Sequence, residues 1–306
     1  MSDHPDTQPA DQTLDVTLQE LMPTLEQKRR TGLIFAAGVS VVAIALSVSI
    51  WARADADNQV VSFAPVFVGV VILFFINGWV TKGQQRMVLP HLAKAINLQY
   101  EQNGRAFLDA LPSRLLPKAG VRRAEDCISG TIGDRRFALA EVKFETGGKN
   151  SRTLFRGIVV RFQNAAPIPA FFIAPERKTG GWFSRMNVDD LVQVDSVTGQ
   201  KGEVYGVWLS QHGVEQNNPA LRGVIDLLTD LETQVGDFAQ LFSATSTGEE
   251  MHIALSHFRD MFKVGGLLAN REKIMAGITD AFEDLNVPLR IVSALLEVEK
   301  ASGQAE

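Results

Sequence analysis

Cysteine and histidine are scarce in this chain, and their scarcity argues against several classes of site. The 306 residues contain one cysteine, Cys127, and five scattered histidines. A lone thiol cannot form an internal disulfide, and histidines without a second ligand at close spacing do not make a zinc site. The sequence therefore predicts a reducing compartment, no metal, no cofactor, and Cys127 as a small, half-buried core residue.

Positive charge is not in excess, and the common catalytic signatures are missing. The 30 lysines and arginines are outnumbered by 35 aspartates and glutamates, which argues against a nucleic-acid surface. There is no GxGxxG after a strand, no phosphate-binding loop, no HExxH and no GxSxG, the motifs that mark many nucleotide and hydrolytic sites. We therefore expect a protein that is not an enzyme. A membrane-tethered enzyme or ligand sensor with dispersed residues, such as Asp189, Asp190 and the region near Cys127, stays an alternative.

Ionisable side chains are absent from two long apolar runs, residues 31–51 and 60–80. Each run matches the roughly 20 residues that a helix needs to cross a bilayer. A cleaved signal peptide has a core of only about 7 to 15 residues, and a buried pair of core helices would keep a polar face. We predict two transmembrane helices that form a hairpin and anchor the chain.

The flanking charges predict the orientation of this hairpin. The loop between the runs holds one cation, Arg53, whereas six cations lie outside them: Lys28, Arg29, Arg30, Lys82, Arg86 and Lys94. Because cytoplasmic flanks are enriched in lysine and arginine, both termini should be cytoplasmic in a multi-pass protein of the bacterial inner membrane. No charged residue inside the runs could relay protons, so an anchor is favoured over a transporter. A small oligomeric pore stays a second alternative.

Small side chains recur along the first run at helical spacing. They lie three or four residues apart, which places them on one face of a helix and permits close approach of the second span: Ala36, Ser40, Ala43 and Ser47.

The rest of the chain predicts a cytoplasmic α+β domain, mainly an antiparallel sheet with packed helices. Gly133-Asp134 suits a tight hairpin turn between residues 127–132 and 136–145. Glu141 and Glu145 share the solvent face of the second strand, where nothing would desolvate them for acid-base work. Further strands are expected at residues 153–162, 170–174, 203–209 and 251–255, with a long helix over 221–242 and two C-terminal helices broken around 286–288.

These patterns predict six segments along the chain. They are a disordered tail (residues 1–12), an amphipathic helix interrupted or kinked near Pro23 (13–30), the transmembrane hairpin (31–80), a juxtamembrane helix and connector (81–118), the cytoplasmic domain (119–264) and the C-terminal helices (265–306).

The loop ERKTGGWFSRM, residues 176–186, is the candidate contact surface. Two aromatic side chains follow two glycines and are flanked by cations, a composition suited to anionic headgroups or a protein partner. The alternative is that the aromatic side chains fold back onto the core. The candidate contact residues are Trp182, Phe183, Arg177, Lys178 and Arg185.

The order of these features resembles a bacterial family, domain of unknown function 3137. The residues that carry the resemblance are AEDCISGTIGDRRFALAEVKFE (124–145), TLFRGIVVRF (153–162), GGWFSRM (180–186) and EEMHIALSHFRDMF (249–262). The resemblance implies an inner-membrane protein with a cytoplasmic domain and adds no catalytic residue. We expect a non-enzymatic interaction, scaffold or regulatory module whose partners are the bilayer and either another protein or a second copy of the chain.

Overall fold

The computed structural model describes residues 8–53, 62–164, 168–176, 191–199, 202–210, 218–231, 239–257 and 261–303. The chain divides into two compact units. The helical unit comprises Met1–Ile96 and Met261–Asp284, and the sheet unit comprises Asn97–Asp260 and Leu285–Glu306.

Two long helices, α1 (Gln8–Trp51) and α2 (Ala64–Ala95), dominate the helical unit. Helix α1 runs through Pro23 without the interruption that the sequence offered as one possibility there, and it includes residues 8–12, which were predicted to belong to a disordered tail. Leu18, Met22 and Leu25 are buried around the proline. Their packing outweighs the one backbone hydrogen bond that a proline removes from a helix.

Both helices contain a segment long and apolar enough to cross a membrane. Only 11% of the most apolar window of α1 and 17% of that of α2 is buried in the protein. Large side chains such as Phe74 and Phe75 are 74% and 75% exposed. A soluble core helix would bury such residues, so the exposed apolar surface favours membrane spans.

The small residues of α1 do lie against α2. Ala36 and Ala43 are buried, and a Cβ placed on Gly69 of α2 would lie 2.9 Å from the Cβ of Ala43. The two backbones therefore approach closely here, as small residues on facing helices allow.

In the described part of the sheet unit, nine antiparallel strands form one sheet, in the order β1-β2-β3-β4-β9-β8-β5-β7-β6. Their bounds are β1 Gln99–Asn103, β2 Val121–Ile132, β3 Arg135–Glu145, β4 Thr153–Gln163, β5 Phe171–Pro175, β6 Leu191–Thr198, β7 Val204–Ser210, β8 Gln240–Ser246 and β9 Glu250–Ser256. The α+β fold, an apolar helix pair followed by an antiparallel sheet with helices, is as predicted.

The predicted hairpin is present, and two predicted helical stretches are not. Strands β2 and β3 pair around Gly133, whose φ of +61° suits glycine. Residues 99–103, predicted as part of the juxtamembrane helix, form the edge strand β1, and residues 240–242, the end of the helix predicted over 221–242, belong to β8. Leu241 and Phe242 belong to a short apolar run, and periodicity alone does not separate a buried strand from a helix over such a length.

The described residues contain three further helices: α3 (Arg105–Asp109), α4 (Pro219–Thr229) and α5 (Arg271–Gly303). Helix α5 contains Pro288 and is continuous, so the predicted break around residues 286–288 is wrong. Buried side chains on both sides of the proline, Leu285 and Ile291, hold the helical backbone by packing. A Cβ on Gly223 of α4 would lie 2.7 Å from Val298, so α4 and the C-terminal part of α5 are in close contact.

The core of the sheet unit lies on both faces of the sheet. Strand β4 buries side chains that point to opposite faces, for example Val159 and Val160. One face carries the cluster that includes Phe107 and Leu108 of α3. Both faces are therefore covered.

Candidate functional site

The five residues predicted as a contact surface, Trp182, Phe183, Arg177, Lys178 and Arg185, lie outside the described residues. Asp189 and Asp190 also lie outside them. Their roles stay predictions. Two other places among the described residues are candidates for a catalytic or binding site.

The first place is a β-bulge in β2. The register of β2 against β3 shifts between Glu125 and Ile128, and Asp126 inside this shift has a φ of +55° while only 5% exposed. Tyr100 Oη of β1 donates a hydrogen bond to Asp126 Oδ1 at 2.5 Å. A positive φ is uncommon for a residue other than glycine, and such bulges often occur beside active sites.

The residue after this bulge, Cys127, is held in an unreactive form. Burial, assisted by the negative charge of Glu101, raises the pKa of its thiol to about 11, although Arg161 opposes the shift. Since the thiolate is the nucleophile, a thiol with this pKa is inert at neutral pH. Cys127 is buried, more deeply than the sequence predicted.

His252 of β9 is also buried on this face of the sheet. Its register partner is Arg161 of β4, and burial, followed by the charge of Arg161, lowers the pKa of His252 to about 4. Its Nε2 atom lies 4.0 Å from Glu250 Oε2, too far for a hydrogen bond, and neither ring nitrogen has a hydrogen-bond partner among the described residues. The imidazole is therefore neutral near pH 7 and is not poised as a general base there.

Glu141 and Glu145 are paired with cations. Lys143 Nζ lies 2.9 Å from Glu145 Oε1, and this hydrogen bond lowers the pKa of Glu145. Arg156 Nη2 lies 3.6 Å from Glu141 Oε1. Each carboxylate therefore lies beside a cation, and both side chains are less exposed than the predicted solvent face implies, at 16% for Glu141 and 18% for Glu145. Among the described residues, no group of three or more His, Cys, Asp or Glu side chains could hold a metal ion.

The second place is in the helical unit, where residues 264–270 lie on the helix pair. Gln84 Oε1 accepts a hydrogen bond from the backbone N–H of Gly266 at 2.8 Å, and Asn77 Oδ1 accepts one from that of Leu267 at 3.0 Å. Arg29 Nη1 donates to the carbonyl of Ala269 at 3.0 Å. These side chains bind the loop through its backbone.

Leu267 adds an apolar contact to this loop. It clusters with Val80 and Ala36, and a Cβ on Gly32 would lie 3.0 Å from its Cδ1. Gly265 and Gly266 lie in this loop. Their φ angles of +63° and +141° and the tight space around Gly265 explain why glycines stand there.

Elsewhere on the helical unit, α1 and α2 form a cavity of about 660 Å³. Its lining combines three cations with aromatic side chains and two glycines: Lys28, Phe74, Phe75, Gly78, Trp79, Lys82, Gly83, Arg86 and Met87. A second groove of about 660 Å³ on the helix pair is almost entirely apolar and includes Gly38 and Ala43. The first cavity is the one with the means to bind a charged ligand.

Comparison with known proteins assigns no family. No family model matches the chain, and no curated protein matches it. Among solved structures, it is similar to the mycobacterial trehalose monomycolate transport factor A, TtfA, at 12% identity. The match covers 67% of this chain and 96% of that one with a TM-score of 0.35. At this TM-score the likeness carries no argument about fold or function.

Proposed function

We propose that the chain is an inner-membrane protein with two spans and cytoplasmic termini, whose sheet unit acts as a non-enzymatic interaction, scaffold or regulatory module. The exposed apolar surface of α1 and α2 supports the spans. The cations outside the spans, against one in the connecting loop, support the orientation.

The observation that carries the interaction role is the edge strand β6. Among the described residues it pairs with β7 alone, and most of its side chains are exposed or half-exposed, including Val192 at 45%. An edge strand presents unpaired backbone groups to which an extended peptide can add as a further strand. A bulge between Gln193 and Asp195 limits how far such pairing extends.

Two ionisable groups buried in the sheet unit, Cys127 and His252, favour a role without catalysis. The thiol of Cys127 has a pKa of about 11 and the imidazole of His252 a pKa of about 4. A nucleophile or general base needs a pKa near the working pH, and both of these groups are shifted away from it.

Membership of the family domain of unknown function 3137 is part of this proposal. Two of the motifs behind the resemblance contain glycines that the packing requires. A Cβ on Gly157 would lie 1.9 Å from the carbonyl oxygen of Leu255, and one on Gly130 would lie 2.5 Å from Leu98. The glycines give these two motifs a structural role in this chain and say nothing of a reaction.

The membrane part is tested by fusing green fluorescent protein or alkaline phosphatase to the C-terminus of the full-length chain in a bacterial host. We expect a fluorescent membrane fraction and no phosphatase activity, because the phosphatase folds only outside the cytoplasm. Phosphatase activity, or a chain recovered in the soluble fraction, would contradict the proposed topology.

The interaction part is tested by placing a photo-crosslinking amino acid at Val192 in cells. The matched control is Asp134, whose side chain is 75% exposed in the turn between β2 and β3. We expect a discrete adduct from position 192 and none from position 134. Turnover of a metabolite by the purified chain without any adduct would favour the tethered enzyme, and conductance in vesicles would favour the pore.

A further inference from the structure

One face of α2 changes from apolar to cationic along its length. The residues that line the cavity recur every four positions in two rows, 74-78-82-86 and 75-79-83-87, which places them on one side of the helix. Phe74 and Phe75 lie at one end, and Lys82 and Arg86 lie toward the other. At a rise of about 1.5 Å per residue, Phe74 and Arg86 are separated by about 18 Å along the axis.

Helix α1 supplies the third cation, Lys28, and Gly83 makes room for it. A Cβ on Gly83 would lie 1.9 Å from Cε and 2.1 Å from Nζ of Lys28. Any larger residue at position 83 would therefore displace the lysine. In this position the ammonium group lies 4.9 Å from the ring centroid of Trp79, a cation–π distance.

The two ends of the cavity match the two parts of a phospholipid. Lys28, Lys82 and Arg86 all line the cavity and can surround a phosphate group. Phe74, Phe75 and the open space at Gly78 offer an apolar surface to an acyl chain. Tryptophan is enriched at the level of lipid headgroups, and basic pockets between cytoplasmic helix ends bind anionic headgroups.

We propose that this cavity binds one anionic phospholipid of the cytoplasmic leaflet, with its phosphate between Lys28, Lys82 and Arg86 and an acyl chain along Phe74 and Phe75. The proposal rests on the proposed function, since it needs the hairpin to span the membrane with these cations on the cytoplasmic side. About 18 Å also matches the distance from a headgroup to the middle of the bilayer, half of a hydrocarbon core of about 30 Å plus part of the interface.

The experiment is native mass spectrometry of the full-length protein released from mild detergent, with phosphatidylglycerol and phosphatidylcholine of the same chains offered at equal concentration. We expect one phosphatidylglycerol to be retained in preference to phosphatidylcholine. Excess inorganic phosphate should not displace it, because the acyl chain contributes to binding. Equal retention of the two lipids, or displacement by phosphate, would overturn the proposal.

Charge variants test the headgroup end of the cavity. Each basic residue near a membrane surface contributes about 1 kcal/mol to the binding of anionic lipid. The double variant Lys82→Gln/Arg86→Gln should therefore weaken phosphatidylglycerol binding about 30-fold. Arg53→Gln is the control, because it removes a cation just beyond the far end of α1 and should leave binding unchanged. A similar loss in the control would show general charge attraction and no site.

Glycine variants test the shape of the cavity at constant charge. A Cβ on Gly78 or on Gly38 meets no atom within 4 Å, so both helices should tolerate a leucine there. Gly78→Leu fills the cationic cavity and should reduce retention at least tenfold, whereas Gly38→Leu faces the apolar groove and should not. Equal behaviour of these two variants would contradict the placement of the lipid.

The two proposals fail in different ways. If the wild-type chain is absent from the membrane fraction, the proposed topology is wrong and the lipid site falls with it. If the chain is a membrane protein with cytoplasmic termini and still shows no preference for the anionic lipid, only the lipid site is wrong.

Discussion

Gln84 and Gly266 are 182 residues apart in the chain and are joined by a hydrogen bond of 2.8 Å from the glycine N–H to the glutamine Oε1. The same side chain donates through Nε2 to the carbonyl of Leu25 at 3.3 Å. Gln84 is fully buried, so one amide connects α1, α2 and the loop 264–270 inside the helical unit. A buried amide that uses both ends to satisfy backbone groups stabilises one arrangement of the three segments.

Gln84→Leu should loosen that loop. The change leaves the Gly266 N–H and the Leu25 carbonyl without this partner, at a cost of about 1–3 kcal/mol for a buried polar group. Hydrogen exchange of the full-length protein in detergent should therefore speed up about tenfold or more at residues 264–269. Gln27→Leu, the same change at an exposed position of α1, is the control. Unchanged protection in Gln84→Leu would mean that the contacts of Asn77 and Leu267 hold the loop in place without Gln84.

Gly157→Ala should disrupt the sheet unit. The new methyl group would lie 1.9 Å from the Leu255 carbonyl oxygen of the neighbouring strand. This oxygen belongs to the backbone of a paired strand, so it cannot move aside as the end of a flexible side chain can. We expect a loss of about 3 kcal/mol or more in the free energy of unfolding, or no folded product. Gly38→Ala should have little effect on stability, because its Cβ meets nothing within 4 Å. Thermal melts that leave Gly157→Ala close to wild type would contradict this requirement.

The sequence was sufficient to predict features that depend on local pattern. Charge-free runs of about 20 residues predicted the two apolar helices, and the alternation around Gly133 predicted the hairpin of β2 and β3. In both cases the pattern is long or the turn chemistry specific, so few other structures fit it.

Features that depend on distant partners could not be predicted. Strands β1 and β8 exist because neighbouring strands pair with them, and their residues have no strong local preference against helix. The cationic cavity was also missed as a site. From the sequence, Lys28, Lys82 and Arg86 predicted only the orientation of the hairpin. Their positions along the chain do not show that the side chain of Lys28 lies over Gly83.

The thiol of Cys127 should resist modification. Since its pKa is raised from 9.0 to about 11, the thiolate fraction at pH 8 is about a hundredfold lower than for the unperturbed group. The reaction of the folded protein with an aromatic disulfide reagent should be slower by at least that factor than after unfolding in urea. A Cys127→Ser/Asp134→Cys variant, with its thiol in the exposed turn, provides the fast control. Equal rates for the two folded proteins would mean that Cys127 is accessible and reactive.

Stability of the sheet unit should fall as the pH falls from about 6.5 to about 4, in part because of His252. Its pKa is about 4 in the folded protein and about 6.5 in the unfolded chain. Between these values the unfolded chain binds more protons, so the stabilisation is complete above about pH 6.5 and is lost toward pH 4. A shift of this size corresponds to about 3 kcal/mol.

His252→Leu should remove this part of the pH dependence. The leucine has no proton to bind and leaves no ring nitrogen buried without a partner, so stability near pH 7 should be unchanged or higher by about 1 kcal/mol. Arg161→Gln provides a second comparison, because removing this cation raises the folded-state pKa of His252 and reduces the slope. Urea unfolding of the full-length protein in detergent, followed at pH 4.5, 5.5 and 7 (roughly the window between the two pKa values), measures both effects. If His252→Leu keeps the wild-type slope, the titrating group is another residue.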